Sequence, residues 1–324
     1  MKNKIFFGSA LVAFCSLAFY MTNINRIKTT KIEVYNGNTT KVTKKSQIVK
    51  SSQKQQSTVS KKSEDKVTKS ETTSKVKVAK GSNKKIIQAI EKSIGNQKEA
   101  YQVSFIDLDK SNNFASVTNT SQTSLKAKNS LKFYILLAYE NAVKTKKIVA
   151  NHAYKIKATD QLSTKDKMLQ TGLQYSYAYI RTVMVSQDSD VAANILLNKI
   201  GYKQVNAVAK KFGATDTEIT GKFGSGDVGK TSASDMTKVI KTLYQGKVLG
   251  IMHDTKIIGY MTGSKNKGLT EKISGTSYRI SGSNGSVALV EVNGKNYAVA
   301  CLNEKDNFDY GSLGKKINTA AHQK

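Results

Sequence analysis

The sequence predicts an α+β domain: one antiparallel sheet of five strands, with terminal helices on one face and a mostly helical lobe on the other. Three observations carry this. Ile86, Ile87, Ile90 and Ile94 recur at helical spacing and precede two alternating segments, while strand-like segments return only near the end of the chain. Asn293-Gly294 lies between two apolar runs, the strongest short hairpin signal. Between these ends lie several helical patterns led by Phe133-Tyr134-Ile135-Leu136-Leu137-Ala138, an apolar block too continuous for a surface helix.

Taken in order, the chain opens with two lysines in residues 1–4, followed by residues 5–21 without a charge. A membrane span needs about 20 apolar residues, so this run reads as a short anchor with the rest of the chain on the extracytoplasmic face. The competing reading is a signal peptide, with Ser16-Leu17-Ala18 as its small-x-small triplet, which would leave a secreted protein. Cys15 and Cys301 are the two cysteines, and with Cys15 in that segment no intramolecular disulfide is expected. Residues 22–84 hold 16 basic and 4 acidic side chains among Ser, Thr, Gln and Val. Such a composition buries too little apolar area to offset chain entropy and reads as a disordered stalk.

A globular domain is expected over residues 85–324. Helix 86–94 leads into a hairpin, 101–108 and 114–119, across Asp109-Lys110-Ser111-Asn112-Asn113. The stretch 125–143 reads as a buried helix with Asn129 at its N-cap. Further helical patterns cover 175–185, 190–200, 203–212 and 233–245. Strands follow near 276–283, at 286–292 and at 295–302, and a last helix at 312–321. No internal repeat is visible, and the chain contains no proline.

Asn129 and Lys132 stand three apart, and so share a face at the start of the buried helix. This segment resembles the active-site helix of the class A β-lactamase and penicillin-binding serine hydrolase family, in which Ser-x-x-Lys supplies a nucleophile and its activating lysine. The resemblance covers roughly residues 100–305 and implies that family's architecture, with the site between the two lobes. Lys132 matches the lysine, and Asn129 takes the nucleophile's place. The family's second element, Ser-Asp-Asn, aligns without a gap to Asp188-Ser189-Asp190, between Met184 and Ala192-Ala193-Asn194. For the third, Lys-Thr-Gly, two tripeptides correspond, Ile273-Ser274-Gly275 and Ile280-Ser281-Gly282. The second is preferred because it precedes the last hairpin. Arg279 would face the other side of a regular strand, so only a bulge could recruit it. For the family's deacylating glutamate, Glu218 comes too early and Phe223 falls nearer the expected place.

Acyl transfer needs a nucleophile with an ionisable proton and a base to take it. A carboxamide at 129, a carboxylate at 188 and an isoleucine at 280 remove the nucleophile, the proton shuttle and the anion-binding lysine together. Ser130 is the other hydroxyl at hand, but one step round a helix is about 100°, so it reads as a cap or surface serine. Lys132 is expected to lie within salt-bridge distance of Asp188 or Asp190, because a buried lysine needs a partner.

Gly224-Ser225-Gly226-Asp227-Val228-Gly229-Lys230-Thr231 fits the phosphate-loop pattern without the parallel strand that should lead into it. His152, His253 and His322 lack ligand spacing and read as surface residues, so neither a metal nor a cofactor is expected. Residues 85–324 hold 34 basic and 19 acidic side chains. That balance favours anionic surroundings, and without a recognisable reading module nucleic acid is not expected. The resulting expectation is a catalytically inactive envelope protein whose basic cleft grips wall glycopeptide or anionic polymer. The alternatives are an active serine hydrolase, either β-lactamase or peptidoglycan peptidase, and a basic adhesion or scaffold protein that binds through its stalk.

Overall fold

The computed structural model describes residues 76–162, 166–224 and 226–323. A two-residue strand, β1 (Lys77–Val78), precedes helix α1 (Lys84–Ile94), which starts where the Asn83 side chain accepts from the Lys85 and Ile86 amides. Strands β2 (Tyr101–Asp107) and β3 (Phe114–Thr118) pair as a hairpin. After β4 (Leu125–Lys126) comes a single 3₁₀ turn, Asn129–Leu131, that runs into α2 (Lys132–Lys144). The hairpin β5 (Ala153–Lys155) and β6 (Gln174–Ser176) leads to α3 (Tyr177–Ser186), α4 (Asp190–Ile200) and α5 (Tyr202–Lys211). Short strands β7 (Glu218–Ile219) and β8 (Gly229–Thr231) join β4 in a small second sheet before α6 (Ala233–Tyr244) and α7 (Ile251–Tyr260). Strands β9 (Thr276–Gly282), β10 (Gly285–Val292) and β11 (Lys295–Asn303) then complete the main sheet, and α8 (Tyr310–His322) closes the chain.

The main sheet runs β1-β3-β2-β11-β10-β9, antiparallel throughout. Six strands replace the five expected, because residues 77–78, assigned from composition to the stalk, pair with Val117 and Thr118 at the sheet edge. The β10–β11 turn has Asn293 and Gly294 at φ 48° and 72°, the left-handed pair that a two-residue hairpin loop requires. Both faces of the sheet are covered. Ala288, Val290, Val299 and Cys301 pack with Ile86, Ile90, Leu313 and Ile317 of the terminal helices, while Val287, Leu289, Ala298 and Ala300 pack against the helical lobe. This is why β10 reads as a nearly unbroken apolar run rather than an alternation.

Helix α2 is the axis of the lobe. Every side chain from Leu131 to Tyr139 is buried, Lys132 included. Each large apolar one contributes roughly 1.5–3 kcal/mol of transfer free energy. The sequence showed no helix at 251–260, and its first two residues explain why: Ile251 and Met252 are exposed, which breaks the apolar periodicity. No helix among the described residues is long and apolar enough to cross a membrane. The uncharged run at 5–21 lies outside them.

Candidate functional site

The site forms where the turn before α2, the start of α4 and the end of β9 converge. The sequence places Lys132 one turn into a helix packed on all sides, so its amine reaches the groove through a buried stem. Three oxygens surround that amine. Lys132 Nζ donates to the Asp188 backbone carbonyl at 2.5 Å and to Asp188 Oδ1 at 2.7 Å, and it lies 2.6 Å from Asp190 Oδ1. The Asp190 contact is an ion pair by distance but lacks hydrogen-bond alignment. Asp188 presents carbonyl and carboxylate together because its backbone is left-handed, at φ 55°, a conformation aspartate tolerates. The Phe223 ring, 5.6 Å from Nζ, closes another side, and Asn194 fixes Phe223 by bonding both its N–H and its C=O. The salt bridge expected for Lys132 is present, to both carboxylates.

Asn129 does not cap the helix. Its amide donates across the groove to Asp188 Oδ2 at 2.7 Å, so one carboxylate joins Asn129 to Lys132. Ser130 departs from the expectation of a cap or surface residue: it is fully buried, and its Oγ has no hydrogen-bond partner. It faces β10, where a Cβ on Gly285 would lie 2.8 Å from that oxygen. Ser189 caps α4 through the Ala192 amide, and its hydroxyl donates to Asp166. Asp166 also accepts from the Met168 and Leu169 amides, and nothing in the local sequence marked it as a partner.

On β9, Gly282 meets the Asn129 turn so closely that a Cβ there would stand 2.6 Å from Asn129 Cβ. Ile280-Ser281-Gly282 therefore ends beside Asn129. Ile280 joins the apolar core on the lobe face, and Ser281 bonds Ser286 on the other. The β9–β10 register is regular along its whole length, with no bulge, and Arg279 turns away to the Ser264 carbonyl at 3.0 Å. Ile280 carries no charge and Arg279 is held at Ser264, so neither supplies a cation beside Asn129. Two carboxylates balance the charge of Lys132.

The remaining sequence candidates resolve elsewhere. Thr231, last in the phosphate-loop pattern, is a buried strand residue bonded to Tyr134 and Thr217, so its hydroxyl cannot serve a phosphate-bound cation. Glu218 sits on β7, and Lys126 pairs with Asp227. Two of the histidines are not plain surface residues. His253 Nδ1 contacts buried Glu140 at 2.7 Å, and both ring nitrogens of His322 contact carbonyl oxygens. No cluster of three or more metal-ligating side chains occurs among the described residues. Cavities of about 270 Å³ beside Lys210 and Lys230, and about 240 Å³ beside Glu271 and Tyr310, are lined by neither Asn129 nor Lys132, and Gly282 borders the second.

Chemically, a carboxamide at 129 is not an acyl-transfer nucleophile. An ammonium that donates twice to Asp188 and pairs with Asp190 has no lone pair with which to accept a proton, and the amide beside it has no acidic proton to give.

Comparison with known proteins bears on the same residues. A sequence model described as "Beta-lactamase enzyme family" matches residues 84–323. No protein in the curated set matches the sequence. Among solved structures, PBP-A superposes with a TM-score of 0.63 at 17% identity, covering 74% of this chain and 94% of that one. A β-lactamase from Sphaerobacter thermophilus DSM 20745 gives 0.63 at 15% identity, covering 73% and 94%. The TLA-1 extended-spectrum β-lactamase gives 0.64 at 16%, covering 74% and 98%. At these identities the likeness to the solved structures is one of fold.

Proposed function

The chain belongs to the β-lactamase enzyme family, and from that premise we propose that it performs no acyl transfer and serves as a non-catalytic module of the cell envelope. The observation that carries the reading is the capture of Lys132 by Asp188 and Asp190, with the Asn129 amide beside it. A family member working through a shifted serine would need a hydroxyl next to that amine. The nearest in sequence, Ser130, points into the sheet. The ligand class follows from charge: 52 basic side chains against 23 acidic favour an anionic envelope polymer or wall-derived glycopeptide. Since the groove's own cation is neutralised, that ligand is held by surface lysines and not by the cleft.

The test is incubation of the full chain with a fluorescent penicillin, followed by intact-mass and peptide analysis. The expected result is no covalent adduct. An adduct on Ser130 or any other serine overturns the proposal in favour of an active serine hydrolase.

A further inference from the structure

Large hydrophobic side chains on a soluble surface are ordinarily scattered. Among the described residues the three most exposed are Val149 at 63%, Ile251 at 70% and Met252 at 63%. All three lie at one end of the helical lobe. Val149 follows the end of α2, and Ile251 and Met252 start α7. The two turns are tied where Lys144 Nζ donates to the Leu249 carbonyl at 2.7 Å, and where His253 contacts Glu140 of α2. The Ala178 amide donates to the Ala150 carbonyl, which brings the first turn of α3 and the exposed Tyr179 to the same end.

The charge there has one sign. Between residues 144 and 157 there are five lysines and no Asp or Glu, and all five lysines are exposed. The acids on the elements packed behind them are used internally. Glu140 is buried against His253 and Tyr260. Asp254 is buried and accepts from the Val248 and Leu249 amides. Asp160 is half-buried and accepts from the Tyr154 hydroxyl and the Lys157 amide. What faces outward is an aliphatic tip ringed by ammonium groups.

We propose that this tip is a contact surface for a bilayer carrying anionic lipid. Lysines alone would suit any polyanion, but Val149, Ile251 and Met252 have no hydrogen-bonding groups and gain nothing from a hydrated polymer. They gain by entering the boundary between headgroups and acyl chains, while the lysine stems keep their charges at the phosphates. The surface lies away from Asn129 and Lys132, so the proposal holds whether or not the cleft is catalytic.

The chain has no tryptophan, so Met252→Trp in the full chain reports from one place. Its emission is followed on addition of phosphatidylglycerol vesicles, phosphatidylcholine vesicles or soluble polyphosphate, with brominated lipid as quencher. Val78→Trp, on the exposed edge strand β1, reports from a second site on the domain. The expected result is a blue shift and bromine quenching at 252 with the anionic vesicles alone, and no change at 78. Adding Lys146→Glu and Lys147→Glu to the Met252→Trp chain weakens the response roughly tenfold or more. No shift at 252, an equal shift at 78, or an equal shift with polyphosphate overturns the proposal, the last in favour of a polymer partner.

Discussion

Lys132 shows how single residues decide the fate of a site. A lysine buried to this depth needs acceptors, and Asp188 and Asp190 supply them. Removing the cation should therefore cost more than removing the whole group. Lys132→Met leaves Asp188 and Asp190 without their cation and is expected to lose about 3 kcal/mol, the low end for a broken buried pair because both carboxylates are a quarter exposed. Adding Asp188→Asn and Asp190→Asn should recover most of that loss. Urea unfolding of the parent, the single and the triple variant measures it, and equal stability of the single and triple variants would refute it. Ser130 gives the converse case. Its hydroxyl is buried without a partner, so Ser130→Ala should be neutral or stabilising by about 1 kcal/mol in the same assay. Positions 129, 132, 188 and 190 were legible in the sequence because helical spacing and gapless flanks fix them. The direction of Ser130 was not. It depends on a 3₁₀ turn, whose residues advance about 120° each and not 100°, and on a glycine 155 residues away.

Whole elements were legible where their apolar pattern matched the surface they bury. The terminal helices, the long lobe helices and the Asn293-Gly294 hairpin are such cases, whereas α7 starts on exposed side chains and β1 is two residues inside a low-complexity stretch. The glycines on two helices make the packing testable. Gly314 of α8 sits so close to the Leu269 carbonyl that an added Cβ would lie 1.7 Å from its oxygen. Gly259 of α7 has nothing within 4 Å. The same substitution should thus act with opposite sign: Gly314→Ala costs about 3 kcal/mol or more by forcing the helix off the turn at Leu269, and Gly259→Ala gains about 0.4–1 kcal/mol from lost unfolded-state freedom. Thermal unfolding of both decides it. Helix α8 also carries a pH dependence. Lys272 first, then the Ser312 hydroxyl and amide, hold its N-cap Asp309 down at about 2 from an ordinary 3.8. A depressed carboxylate contributes stability that is fully present above its unfolded value and is lost as pH falls through the folded one. Asp309→Asn should therefore flatten the melting temperature's fall between pH 3.8 and about 2. An unchanged acid limb would show that the Lys272 pair contributes nothing.

On the scale of the whole molecule, charge and fold give different information. The fold pairs buried Lys132 with two carboxylates, while most other lysines among the described residues are exposed on the surface. If anionic polymer binds that surface, affinity comes from many weak contacts and displaced counterions, so it should fall steeply and log-linearly with salt. A polymer seated in the cleft would instead depend on Lys132 and its neighbours and change little with salt. Binding of the full chain to polyphosphate between 50 and 200 mM salt separates the two. We expect a loss of roughly tenfold or more across that range, with Lys132→Met indistinguishable from the parent at each point, since its charge already belongs to Asp188 and Asp190. A flat salt profile that Lys132→Met abolishes would put the ligand back in the cleft.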